Sequence, residues 1–190
     1  VVWRSYEALN WQRYQKILLS AFWGLILLTL MLASFHQAQY WRNSVTLFKR
    51  AIEVTDRNYL AHNNYGAALM DQKNYRQAAE HFLESLRIKP DFAEAHNNMG
   101  NIVALQGKNE EAALFFREAI RIKPDYAGAK SRLGDVLQRM GKGEEAIVCY
   151  REALILSPDD PALHNNIAVA LASAGKGGEA VYHLRKALDL

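Results

Sequence analysis

The chain has 190 residues, half of them apolar, and 23 Lys/Arg against 20 Asp/Glu, a formal charge of +3 that leaves material for a sizeable core. Residues 1–58 hold seven basic and three acidic side chains, whereas residues 59–190 hold sixteen and seventeen. The C-terminal part therefore lacks the cationic stripe that a phosphate backbone demands, which argues against a nucleic-acid partner.

The chain opens Val1-Val2-Trp3 without a methionine and stops inside a predicted helix, so it reads as a segment of a longer protein. Residues 1–16 read as a juxtamembrane segment. From Ile17 to Phe35 no charge occurs, and a helix of this length, at ~1.5 Å per residue, nearly matches a ~30 Å hydrocarbon core. One transmembrane helix over 17–35 is expected, in contact with the lipid bilayer. Trp11 and Tyr14 on one side, and Tyr40 and Trp41 on the other, supply interfacial aromatic rings. Arg4, Arg13 and Lys16 balance Arg42, Lys49 and Arg50, so charge does not fix the orientation.

Beyond a linker over 36–58, the sequence repeats every 34 positions. Pro90, Pro124 and Pro158 share this spacing, as do Gly66, Gly100, Gly134 and Ala168. Ala78, Ala112, Ala146 and Ala180 form another column, and Phe82, Phe116, Tyr150 and Leu184 a fourth. Small residues permit two helices to cross closely, and the aromatics are expected to fill the space between neighbouring repeats. Each proline ends a second helix because it lacks an N–H and clashes with the turn before it. Gly107, Gly141 and Gly175 fall at the turn between the paired helices.

These columns resemble the tetratricopeptide repeat (TPR), in units over 59–92, 93–126, 127–160 and a truncated 161–190. The segment Trp41–Val54 carries Phe48 and Ala51 in the registers of Phe82 and Ser85, so 36–58 includes a degenerate half-repeat. The expected fold class is all-α, a TPR helix-hairpin solenoid preceded by one transmembrane helix.

A polar pattern is laid over the columns: His62-Asn63-Asn64, His96-Asn97-Asn98 and His164-Asn165-Asn166, with Lys130-Ser131-Arg132 in the third unit. Histidines one repeat apart are expected ~10 Å from each other, the spacing of packed helices, whereas zinc holds nitrogen ligands at ~2.1 Å. They read as half-buried spacers, and no metal is expected. Cys149 stands alone, so neither an intrachain disulfide nor a Cys-based zinc site is expected.

Asparagine is a mediocre helix former, and its recurrence within a helix asks for a reason. Asn64, Asn98 and Asn166 lie on the first helix, which lines the concave face in TPR superhelices. They resemble the asparagine ladder of the O-linked N-acetylglucosamine transferases, where side-chain amides hold the backbone of a bound peptide. An amide donates and accepts at once, so it can read an extended chain with little demand on its sequence. Repeat consensus with solvated amides is the alternative. Arg132 takes the third rung and adds a preference for an acidic or C-terminal group, while Asn101, Asp135 and Arg139 continue along the same face and modulate what binds there.

No nucleophile elbow, phosphate loop, HExxH or paired-carboxylate motif occurs, so no catalytic residue and no cofactor are expected in this segment. The stretch from His36 to Gly66 resembles the junction of polytopic O-mannosyltransferase-like glycosyltransferases with their TPR tails. That resemblance implies further spans upstream, a periplasmic or lumenal array, and enzymatic chemistry outside this segment. The expected function is a membrane-tethered scaffold for a protein or extended peptide, the recruiting tail of such an enzyme. A non-enzymatic, membrane-anchored adaptor in envelope or complex assembly is the alternative.

Overall fold

The computed structural model describes residues 19, 22, 23, 25–34 and 44–190. The chain divides into two compact units, Val1–Arg50 and Ala51–Leu190. In the first, the expected span over 17–35 lies partly outside the described residues. Those described within it are helical, and their large apolar side chains face outward, Leu27 at 66% and Met31 at 64% exposure. Among the described residues, no helix is both long and apolar enough to cross a membrane.

Every residue from 44 onward is described, and nine helices follow: α1 Ser44–Val54, α2 Tyr59–Asp71, α3 Tyr75–Ile88, α4 Ala93–Leu105, α5 Asn109–Ile122, α6 Ala127–Arg139, α7 Gly143–Leu156, α8 Pro161–Ser173 and α9 Gly177–Asp189. No strand occurs among the described residues. Helix α1, which contains Phe48 and Ala51, buries no side chain fully. From α2 onward the helices pair as hairpins, α2 with α3 through α8 with α9, and each second helix packs on the first helix of the next hairpin.

The local sequence sets the helix boundaries. Asn58 caps α2 by accepting from the Ala61 N–H at 2.9 Å, and Asp160 caps α8 by accepting from Ala162 at 2.9 Å, with Pro161 in the first turn. The first helices end on a left-handed residue: Gly107, Gly141 and Gly175 at φ 75–78°, and Lys73 at φ 61°. The same pair of bonds closes each one, as in the Lys142 N–H to Leu137 O bond at 2.9 Å and the Gly141 N–H to Gln138 O bond at 3.0 Å. The second helices α3, α5 and α7 stop two residues before Pro90, Pro124 and Pro158.

Each ring of the aromatic column lies over the small residue of its own hairpin. A methyl built on Gly66 would meet Phe82 Cε1 at 2.8 Å, one on Gly100 would meet Phe116 Cε1 at 2.7 Å, and one on Gly134 would meet Tyr150 Cε1 at 2.6 Å. Carbons prefer ~3.5–4.0 Å, so glycine is what allows an aromatic ring at the helix crossing. In the fourth hairpin Ala168 is buried and the ring is replaced by Leu184, which is half exposed. The same core holds Ile102, Val136, Leu137, Ile147, Ile167 and Leu171, all nearly fully buried and each contributing ~1.5–3 kcal/mol.

Candidate functional site

First helices approach closely across neighbouring repeats, α2 with α4, α4 with α6 and α6 with α8, whereas the second helices stand further apart, Arg151 on α7 reaching Glu179 on α9 through a side-chain ion pair at 2.7 Å. The array is therefore tighter on the first-helix side, which is the inside of its curve. A register of these helices that faces inward therefore forms a row along that inner face.

Asparagine amides from repeats 1 and 2 form a chain. Asn98 Nδ2 donates to Asn63 Oδ1 at 3.1 Å, and Asn63 Nδ2 donates to Asn64 Oδ1 at 3.3 Å. Asn97 Nδ2 reaches Asn98 Oδ1 at 3.5 Å, while its own buried Oδ1 has no hydrogen-bond partner. Asn63 and Asn97 are buried; Asn64 and Asn98 are half-buried beside them. The doubled asparagine thus serves first to join neighbouring first helices.

In repeat 3, Asp135 takes over that joining role. Its Oδ1 accepts from the Tyr150 hydroxyl at 2.9 Å and from Asn166 Nδ2 at 3.2 Å, and its Oδ2 accepts from Arg132 Nη1 at 3.3 Å. Tyr150 is the member of the aromatic column that carries a hydroxyl, and a buried hydroxyl needs a partner. Burial together with the adjoining Asp135 carboxylate pushes the Tyr150 phenol far above its ordinary range, so it is a permanent donor.

A cavity of about 310 Å³ opens on this face and spans three repeats. Asp71 and Tyr75 line it from repeat 1, Asn101 and Leu105 from repeat 2, and Arg132, Asp135 and Arg139 from repeat 3. Four of the residues expected from sequence, Asn101, Arg132, Asp135 and Arg139, therefore share one cavity. Asn64, Asn98 and Asn166 do not line it, although Asn166 bonds to its wall through Asp135. Asp71, Tyr75 and Leu105 went unrecognised in the sequence. The signal for two of them was present, because Asp71, Leu105 and Arg139 fall in one 34-residue register.

The histidines face the second helix of their own hairpin. His62 Nδ1 lies 3.1 Å from His81 Nδ1, and His164 Nδ1 lies 2.9 Å from His183 Nδ1. Repeat 2 places Phe115 opposite His96. The Pro158 carbonyl, 3.0 Å from His164 Nε2, requires a proton on that nitrogen. In the neutral pair, His183 Nδ1 therefore donates and His164 Nδ1 accepts. Among the described residues, no group of three His, Cys, Asp or Glu side chains is arranged to hold a metal ion.

Comparison with known proteins bears out the repeat. One tetratricopeptide repeat model matches residues 37–91 and 68–127, and a second TPR model matches 139–175. The chain is a TPR protein. Over 68 residues it is 35% identical to human protein O-mannosyl-transferase TMTC3, covering 36% of this chain and 7% of that protein. It is 31% identical over 84 residues to Drosophila melanogaster Tmtc3, covering 44% of this chain and 9% of that protein. The TPR chain thus spans a tenth or less of the length of the curated relatives it matches. Among solved structures, MamA matches at TM-score 0.68 with 24% identity, over 76% of this chain and 85% of that one. YrrB, described as a TPR protein with an unusual peptide-binding site, matches at TM-score 0.63 with 18% identity, over 84% of this chain and 80% of that one. These two likenesses concern the fold.

Proposed function

We propose that this TPR chain is a membrane-tethered scaffold that holds an extended segment of another polypeptide on its inner face, as the recruiting tail of a glycosyltransferase-like membrane protein. The observation that carries the binding reading is the three-repeat cavity, where an amide, two guanidinium groups and an exposed leucine converge. A polypeptide backbone offers carbonyls and N–H groups at intervals such a row can meet. The amides Asn64, Asn98 and Asn166 flank this surface, and Asn101, Arg132, Asp135 and Arg139 line it.

Two observations favour the tether and the tail. The described residues of 17–35 are helical and present large apolar side chains outward, as a lipid-facing helix does. The partial matches to O-mannosyl-transferases favour a glycosyltransferase-like parent, and we take that parent to be polytopic with its array in the periplasm or lumen. On this reading residues 1–16 are juxtamembrane, 17–35 cross the bilayer, 36–58 lead in through a half-repeat, and the repeats occupy 59–92, 93–126, 127–160 and 161–190. No catalytic role is assigned to the segment.

The test is the double variant Asn101→Ala, Arg139→Ala in the full chain reconstituted in lipid nanodiscs, titrated with fluorescent unstructured peptides. Neither side chain makes a hydrogen bond or ion pair among the described residues, so the melting temperature should hold. Affinity should fall about tenfold, at ~1 kcal/mol for a neutral hydrogen bond and somewhat more for a charged one. Unchanged peptide affinity would remove the cavity from the binding face.

A further inference from the structure

Resting on the polypeptide-binding reading, we infer that the cavity selects a segment bearing both charges: a basic side chain over Asp71, an apolar one over Leu105 and an acidic one over Arg139. The three positions are equivalent in three successive repeats, so they form one line across the inner face. Their chemistry changes along it from carboxylate to alkyl to guanidinium.

What leaves these groups available is how their neighbours are engaged. Arg132 is held by Asp135 at 3.3 Å, and Asp135 also accepts from Tyr150 and Asn166, so that pair is internally satisfied. Asp71 and Arg139 are both exposed, and neither makes an ion pair or side-chain hydrogen bond among the described residues. They line the same cavity without closing on each other. Leu105 between them is 63% exposed, although it sits on a helix whose other large apolar residues are buried. The cavity thus presents a free anion at one end, a free cation at the other and an uncovered apolar surface between.

The spacing sets the length of the segment. Neighbouring packed helices lie ~8–10 Å apart, so Asp71 and Arg139, two repeats apart, are separated by ~20 Å or less. An extended chain advances ~3.3 Å per residue, which puts the two charges about six residues apart with the apolar residue midway. The free amide of Asn101, one turn from Leu105, can hold the backbone at the centre.

The experiment uses the full chain in nanodiscs and blocked, fluorescein-labelled fifteen-residue peptides of serine, read by anisotropy. The central seven residues carry lysine first, leucine fourth and glutamate last in the test peptide. Controls carry glutamine at both ends, lysine at both or glutamate at both. The mixed-charge peptide should bind roughly three- to tenfold tighter than each control at low salt, and 0.5 M salt should erase the difference. Arg139→Glu should shift the preference to the doubly basic peptide, and Asp71→Lys to the doubly acidic one. These shifts hold for either direction of the bound chain. Equal binding of all four peptides, unmoved by either variant, overturns the charge register but leaves polypeptide binding standing. No binding of any peptide overturns both.

Discussion

Replacing Gly134 by alanine tests how the hairpins close. In the middle of a helix alanine is favoured over glycine by ~1 kcal/mol, so propensity alone predicts stabilisation. The structure predicts the opposite sign. The added methyl would lie 2.6 Å from Cε1, 2.8 Å from Cδ1 and 2.9 Å from Cζ of Tyr150. That ring is 3% exposed and anchored through its hydroxyl to Asp135 at 2.9 Å, so it has nowhere to move. Overpacking of this kind costs ~1–3 kcal/mol, and displacing the ring also strains a hydrogen bond to a charged group worth ~1.5–3 kcal/mol. The net expectation for Gly134→Ala is a loss of about 2 kcal/mol, read as a lower urea midpoint by circular dichroism. The decisive comparison repeats the change in a Tyr150→Leu background, which reproduces the Ala168 and Leu184 combination of the fourth hairpin. There alanine should be neutral or stabilising by up to ~1 kcal/mol, which makes the coupling between the two sites about 2–3 kcal/mol. The same effect of alanine in both backgrounds would refute the ring-over-glycine account.

Two further outcomes follow from particular residues. Lys73 adopts φ 61° at the turn where the other hairpins have glycine, and a left-handed backbone costs a side-chain-bearing residue ~1–2 kcal/mol. Lys73→Gly should therefore stabilise the array by about 1 kcal/mol in the same assay, and a destabilised variant would contradict the strain. The paired imidazoles make stability depend on pH. Burial lowers the pKa of His62, His81 and His183 below the ordinary 6.5; in His81 and His183 the facing imidazole adds to this, Arg87 and Arg151 lower His62 and His183 further, and Glu80, Glu84 and Glu179 oppose. The unfolded chain then takes up protons near pH 6.5 that the folded chain refuses until lower pH. Stability is full above 6.5 and falls as pH drops below it. The double variant His81→Phe, His183→Phe, which copies Phe115 of repeat 2, should flatten the urea midpoint between pH 7.5 and 5. A slope equal to that of the parent chain would show that the pairs are not its source.

The hairpin solenoid is legible in the amino-acid order, because the features that fix it are local or strictly periodic. Pro90, Pro124 and Pro158 stop helices wherever they stand; Gly107, Gly141 and Gly175 sit in left-handed turns; a small residue recurring every 34 positions marks a helix crossing. The amino-acid order also named the first-helix positions from which Asn101, Arg132, Asp135 and Arg139 reach one cavity. Which side chain each of these meets is settled by how the helices pack. The 34-residue period says that Phe82 recurs, but not that its ring lies on Gly66 within the hairpin. It aligns Asn98 with Asn64, yet the amide bonds to Asn63, 35 positions back. It presents the histidines of the first helices as a row, whereas the imidazole facing His62 comes from position 81, 19 residues on and outside that row. Asp135 accepting from Tyr150, Asn166 and Arg132 depends on three backbones from two repeats arriving at one point. Such meetings are fixed by the angle and distance at which helices pack, and these are set by the summed volumes of the buried side chains. No single register in the sequence carries that sum.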